Sequence, residues 1–336
     1  MKQYKLYKVS ICVPVYGVEK YIERCARSLF EQTYKNIEYI FVNDCTKDNS
    51  ITILERVLEE YPNRKSQVHI ITHEKNRGLG AARNTAVNSA TGDFLFHVDS
   101  DDYIDNTTIE KCVRKQIETE ADIVTCNVYY DYDNKRVKYN HFTGKSSEEW
   151  KVLLFSRTAK IMIWGRLIRT SLYKEYHIHV REGYNMGEDF QVTPKLGYYA
   201  NKIELVNENL YFYNKENDTS YSANFSETKA IQTLKSVEFL FDFLRGKETK
   251  YTEALKYSEA QILAEVTIWC CRFGDKNFFE KELKQKIKMI DRKYYRKLSK
   301  SYQIPFIIPI PSLLILYAQV GHKLKNWKKD IIYDYK

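Results

Sequence analysis

The chain has 336 residues, 43% of them hydrophobic, which is enough for a sizeable core in one large or two smaller domains and excludes a disordered chain. Its seven cysteines are odd in number and lack a CxxC pair, which excludes a disulfide framework and points to reduced, mostly buried thiols. The net charge of +9 is concentrated: residues 281–300 hold nine Lys/Arg against two acidic residues, a block that favours polyanions or an anionic membrane surface. Residues 1–8 carry no apolar stretch of the kind a secretory signal needs, so a cytoplasmic location is expected.

The first hundred residues alternate strand and helix signals. Residues 9–16 (VSICVPVY) form a short β-branched run that reads as a buried strand. Residues 18–32 follow with Ile22, Cys25, Ala26 and Leu29 on one helical face. A second strand is predicted at 37–43, a helix at 46–60 opened by Asp48, Asn49 or Ser50, and a third strand at 68–72. Residues 79–90 (LGAARNTAVNSA) read as a small-residue helix that can pack closely, and 93–99 (DFLFHVD) as a fourth strand. This βαβαβαβ order predicts a mainly parallel sheet covered by helices, an α/β class. Beyond residue 102 the pattern becomes mixed. Helices are predicted at 107–119, 150–155, 171–176 and 188–197, with strands at 122–130 and 203–213. From about residue 226 the chain reads as helical and basic.

Ligands of such sheets bind beyond the carboxyl ends of the strands. The polar clusters at those ends are 14–16, 43–44, 73–80 and 99–102, and the predicted topology brings all four to one rim. The sharpest cluster is Asp99-Ser100-Asp101-Asp102, directly after an apolar strand. Carboxylates crowded at a strand end repel one another, and a divalent cation relieves that repulsion. An all-oxygen donor set favours Mg²⁺ or Mn²⁺, and the spacing does not fit a calcium EF-hand loop.

Three blocks then carry a more specific signal: VSICVPVYGVEKYIERCARSLFEQTYKNIEYIFVNDCTKDNS, EKNRGLGAARNTAV and GDFLFHVDSDDYI. Their order and spacing over residues 8–104 resemble the family-2 glycosyltransferases of the GT-A fold, with a weaker match to about residue 215. The resemblance implies an inverting enzyme that uses a nucleotide-sugar donor, a UDP-sugar, with Mn²⁺ or Mg²⁺. It implies that Pro14 and Tyr16 line the nucleobase pocket, with Tyr16 beside the uracil, and that Asp44 accepts a hydrogen bond from the base. Asn43 replaces the first of two acids often found there. Arg83 is implied near the nucleotide or donor sugar, Asp99 at the ribose or the metal, and Asp101 as the direct metal ligand.

Gly187-Glu188-Asp189-Phe190 resembles the family's ED block, which makes Asp189 the implied general base and Glu188 its neighbour. Trp164-Gly165-Arg166-Leu167 resembles a WNKL-like segment with Gly-Arg in place of Asn-Lys. There Trp164 either stacks on a sugar or packs in the core. Residues 210–213 (LYFY), followed by Asp218-Thr219-Ser220, resemble the closing segment near the diphosphate. The implied acceptor is a saccharide of a surface polysaccharide or a lipid-linked oligosaccharide.

The expected organisation is a GT-A domain at 1–220, divided into a nucleotide-sugar half (1–104) and an acceptor half (105–220). A helical, basic region follows at 221–336. Within it residues 304–320 (IPFIIPIPSLLILYAQV) are apolar but broken by Pro309 and Pro311, and lysines and Trp327 follow. Segment 304–327 is expected to lie against an anionic membrane surface, which would make the protein peripheral at the inner face of the cell membrane. A sugar-phosphate nucleotidyltransferase would need a Gly-rich phosphate loop near the N-terminus, and residues 10–16 have none. A basic polyanion-binding protein would leave both acidic motifs unexplained, and no nucleic-acid partner is expected.

Overall fold

The computed structural model describes residues 6–132, 134–139, 144–217 and 226–320. The chain forms two compact units, Met1–Ser220 and Tyr221–Lys336.

In the first unit the described residues build a nine-stranded mixed sheet. Strands β1 (Val9–Val15), β2 (Ile37–Asn43), β3 (Val68–Thr72) and β4 (Phe94–His97) are parallel, in the order β3-β2-β1-β4. β1 is buried along its whole length, because helices cover both faces of the sheet, and its apolar run follows from that. Pro14 lacks a backbone N–H but lies beyond the β1–β4 pairing, which ends at Cys12 opposite His97. The intervening helices are α1 (Ile22–Phe30), α2 (Ser50–Glu59) and α3 (Leu79–Ser89).

The sheet then changes direction. β5 (Tyr103–Ile104), α4 (Thr108–Thr119), β6 (Ile123–Tyr132), β7 (Lys135–Tyr139), α5 (Ser147–Phe155), β8 (Arg166–Arg169), α6 (Thr170–Glu175), α7 (Glu188–Tyr199) and β9 (Ile203–Asn214) follow in the chain. β8 pairs antiparallel with both β4 and β6, whereas β6 runs parallel to β9. The order is completed as β4-β8-β6-β9-β5, with β7 added to β6. Two apolar clusters, one on each face, hold the sheet. One gathers Ile11, Phe41, Phe96, Val124 and Tyr211, and the other Ile40, Leu95, Trp150, Ile168 and Leu196.

Several elements differ from the sequence reading. α1 begins at Ile22 rather than residue 18, because residues 18–21 close a turn in which the Tyr21 amide donates to the Val18 carbonyl. α2 begins at Ser50 rather than 46. Thr46 and Asp48 accept the backbone N–H groups of Gly17 and Glu19, and so tie the two loops together instead of entering a helix. Strands β5, β7 and β8 had no counterpart in the sequence reading.

The second unit is helical. α8 (Glu227–Phe243) and the 24-residue α9 (Thr249–Arg272) pack together, followed by short helices through the basic block. Tyr294 and Leu298 of that block bury against Ala260 and Ala264 of α9. The apolar stretch forms a helix at Lys300–Ile307, a break at 308–310 and a second helix at 311–320. The break falls where Pro309 and Pro311 interrupt the pattern. No helix among the described residues is long and apolar enough to cross a membrane.

Candidate active site

The site is built on the α3 N-terminus and the ends of β2 and β4. Asp44 follows β2 and is buried. Its Oδ1 receives the Arg77 amide (2.8 Å) and lies 2.7 Å from His73 Nδ1, while its Oδ2 receives the Gly78 amide (2.7 Å). Asp44 therefore folds the turn into α3, and its Oδ2 has this one partner among the described residues. The turn requires glycine at 78: φ is +87°, and a Cβ there would fall about 2 Å from the Asn185 side chain. Asn185 also receives the Gly80 amide at 3.1 Å, and Asn84 exchanges two hydrogen bonds with the Val180 backbone, so the segment before α7 is fastened to α3.

α3 carries Arg83 into the centre of the site. Its guanidinium is 4% exposed and donates to Asp99 at 2.9 Å. The same nitrogen lies 3.8 Å from Glu188 and 4.0 Å from Asp189. Its Nε and Nη1 have no partner among the described residues. Burial opposes the charge, but the Asp99, Asp189 and Glu188 carboxylates outweigh it and hold the Arg83 pKa above its ordinary value. One cation thus joins the acidic motif after β4 to the one that opens α7.

Gly187, in the left-handed region, starts α7 and leaves Glu188 and Asp189 in its first turn. Burial pushes both carboxyls above the ordinary range. For Glu188 the next cause is the Asp189 charge; for Asp189 Arg83 opposes the rise and Asp99 adds to it. The Ile163 amide donates to Asp189 Oδ1 at 3.3 Å. The loop that presents this amide is gripped by the buried Arg166, which donates to the carbonyls of Met162 (2.8 Å) and Lys160 (2.6 Å). Burial lowers the Arg166 pKa to about 9. The sequence reading placed Arg166 in the WNKL-like segment, where it stands for a lysine, but assigned it no role of its own.

The three aspartates after β4 separate into two roles. Asp102 is fully buried, receiving the Tyr211 hydroxyl (2.7 Å) and the Asn214 amide (2.7 Å). It anchors β9 and is closed to solvent; burial, then the Asp101 and Asp99 charges, raise its pKa, so the three acids are crowded as expected but only two stand at the rim. Tyr211 also accepts the Asp99 amide at 3.1 Å. Asp99 and Asp101 remain at the rim. Asp101 accepts from Asn217 at 2.8 Å, and burial together with the Asp99 charge raises its pKa. No group of three His, Cys, Asp or Glu residues among the described ones is arranged to hold a metal ion.

Of the remaining expected residues, Pro14 is buried within β1, and Tyr16 stands 51% exposed just beyond it. Trp164 is 3% exposed and stacked on Tyr211 (4.3 Å) and Tyr213 (5.3 Å), so it packs in the core and offers no face to a sugar. Residues 218–220 lie outside the described residues. His97, buried against Tyr173 (3.1 Å), is driven down to a pKa of about 3 by burial and by Arg83, and is a neutral packed histidine.

The profile of the family described as "Glycosyl transferase family 2" matches residues 10–186, just over half of the chain. Glycosyltransferase GlyA of Streptococcus pneumoniae is 33% identical over 218 residues, 61% of this chain and 30% of GlyA. The uncharacterized glycosyltransferase EpsJ of Bacillus subtilis is 31% identical over 219 residues, 63% of this chain and 62% of EpsJ. The chain thus spans less than two thirds of either relative. Poly(ribitol-phosphate) beta-N-acetylglucosaminyltransferase TarS of Staphylococcus aureus is 29% identical over 210 residues, 62% of this chain and 35% of TarS. The crystal structure of S. aureus TarS 1–349 in complex with UDP-GlcNAc superimposes with a TM-score of 0.66 at 20% identity, covering 93% of this chain and 89% of that one. That likeness shows the fold, the GT-A arrangement with its helical C-terminal region. By its profile match over more than half of its length, the chain belongs to glycosyl transferase family 2.

Proposed function

We propose that the protein is an inverting glycosyltransferase that moves a sugar from a UDP-sugar to a hydroxyl of a saccharide acceptor. The observation that carries this reading is a buried cation, Arg83, within 4.0 Å of carboxylates from both acidic motifs. The donor assignment draws support from the TarS complex with UDP-GlcNAc.

In this mechanism Asp189 is the general base. A buried carboxylate with a raised pKa is a stronger proton acceptor than a solvated one, and Arg83 keeps it ionised near neutral pH. The acceptor O–H gives its proton to Asp189 as the oxygen bonds to the anomeric carbon. The bond from that carbon to the diphosphate breaks on the opposite face, and UDP leaves with the electron pair. Arg83, with two donors to spare, orients the donor. Tyr16 and Pro14 border the nucleobase, with Asp44 Oδ2 as the acceptor beside it.

The rim carboxylates fit a divalent cation. Asp101 and Asp99 are hard oxygen donors, and of the two causes that raise the Asp101 pKa, burial and then the Asp99 charge, the second is what an ion would relieve. Asp101, with Asp99, would hold Mn²⁺ or Mg²⁺, which when bound neutralises charge on the diphosphate. One or two protein carboxylates suffice for such an ion when substrate phosphates complete its shell.

The acceptor belongs to a surface polysaccharide or a lipid-linked oligosaccharide, and the protein works peripherally at the cytoplasmic face of the membrane. The supporting feature is the helix at 311–320. It buries Leu314 and Ala318 yet leaves Leu313 (50%) and Leu316 (60%) exposed, in a stretch without charge that follows the basic block.

UDP-sugar turnover with Mn²⁺ tests the reading. Asp189→Asn should retain UDP binding and lose about 10²- to 10⁴-fold in kcat. Asp101→Ala should lose the dependence on metal together with turnover. Unchanged transfer in Asp189→Asn would assign the base elsewhere.

A further inference from the structure

A second feature of the acceptor half is unused by the chemistry above. On one face of the sheet, Tyr130 of β6, Tyr139 of β7 and Tyr213 of β9 form a continuous aromatic surface. Tyr130 lies 5.0 Å from Tyr139 and 5.7 Å from Tyr213, ring centre to ring centre. Register explains the grouping: Tyr130 stands opposite Tyr213 on one side and Val137 on the other, and residues two apart share a face. All three rings are partly exposed. The buried pair Trp164 and Tyr211 continues the stack inward, ending at the Tyr211 hydroxyl on Asp99 and Asp102.

Two lysines stand over this surface. Lys215 Nζ is 4.3 Å from the Tyr213 ring centre and 4.9 Å from that of Tyr130, and Lys160 Nζ is 4.4 Å from that of Tyr139. Neither ammonium is in ion-pair contact with a carboxylate among the described residues. Burial lowers the Lys215 pKa; the Asp102 charge opposes that, and Lys160 adds to it as a like charge. Two cations held near each other over aromatic rings, without an ion-paired carboxylate among the described residues, form a receptor for an anion. The rings supply flat faces for sugar or polyol C–H groups, and the ammonium groups supply point charges for phosphate or carboxylate. The chain links this surface to the proposed base: Lys160 precedes by three residues Ile163, whose amide donates to Asp189.

We propose that Tyr130, Tyr139 and Tyr213 with Lys160 and Lys215 form an acceptor subsite for a saccharide or polyol chain that carries an anionic group, a phosphodiester or a carboxylate, one unit away from the hydroxyl that is glycosylated. The inference rests on the glycosyltransfer reading for the identity of its ligand as an acceptor, but the binding itself requires no turnover.

Titration calorimetry on the full chain tests it with three probes: a poly(ribitol phosphate) oligomer, an oligogalacturonate and neutral maltohexaose. At least one anionic probe should bind about tenfold more tightly than maltohexaose at low salt, with the advantage shrinking as ionic strength rises. The double variant Lys160→Gln/Lys215→Gln should erase that advantage, whereas Tyr130→Ala should weaken every probe that binds. UDP affinity, measured in Tyr130→Ala, should not move, which separates failure of this subsite from failure of the donor reading. Preference for the phosphodiester or for the uronate identifies which anion is taken. Equal binding of all three probes, or full anionic affinity in the double-lysine variant, overturns the proposal, and the latter would transfer the affinity to another basic surface such as 281–300.

Discussion

Asp189 and Arg83 make the sharpest claim at the scale of single residues. A general base must be ionised, so kcat/KM should fall as pH drops through the Asp189 pKa. Burial raises that pKa, which places the acid limb above the ordinary carboxylate range near 4. Arg83 acts in the opposite direction, so Arg83→Gln should move the limb to higher pH by about one unit or more, in addition to weakening the donor. A limb that stays in place would detach Arg83 from the base. Most of these residues were legible in the sequence, because Asp99, Asp101 and Asp189 sit in short motifs next to strand or helix signals. Others were not. The role of Asp102 depends on Tyr211 and Asn214, more than a hundred residues downstream, and adjacency in sequence made it look like a third rim acid. Trp164 was open between sugar contact and core because an aromatic side chain serves both ends, and only the stacking on Tyr211 and Tyr213 decides it.

Among elements, the parallel strands and their helices could be read because long apolar runs at period 2 or 3.6 leave a strong pattern. β8 could not. Its four residues begin and end with arginine, and β5 has only two residues. Both exist because a neighbour supplies the hydrogen-bonding edge, β4 and β6 for the one and β9 for the other. Arg166 at the start of β8 converts that pairing into function by fixing the 160–163 loop beneath Asp189. Arg166→Met keeps the bulk but leaves the carbonyls of Lys160 and Met162 without their donor. It should cost roughly 2–4 kcal/mol of stability, read as a lower denaturant midpoint. It should also lower kcat in the fraction that remains folded. A variant with wild-type stability would show that the loop is held by other contacts.

At the scale of the whole molecule, the positive charge and the exposed apolar helix both lie in the C-terminal unit. The protein should sediment with vesicles containing phosphatidylglycerol and release them as salt rises; Leu313→Asp/Leu316→Asp should abolish sedimentation while donor turnover in solution persists. Sedimentation that survives the two aspartates would assign the apolar face to another partner. The sheet itself carries a different consequence. The parallel strands, proposed to serve the nucleotide, meet the mixed strands beside Asp189 along one seam of three rungs, Phe94–Arg169, Leu95–Ile168 and Phe96–Leu167. All the insertions between β6 and β9 hang on the far side of it. On the proposed reading, a change of acceptor would therefore fall on one side of the seam, with Arg83 and Asp189 as the pair that reaches across it.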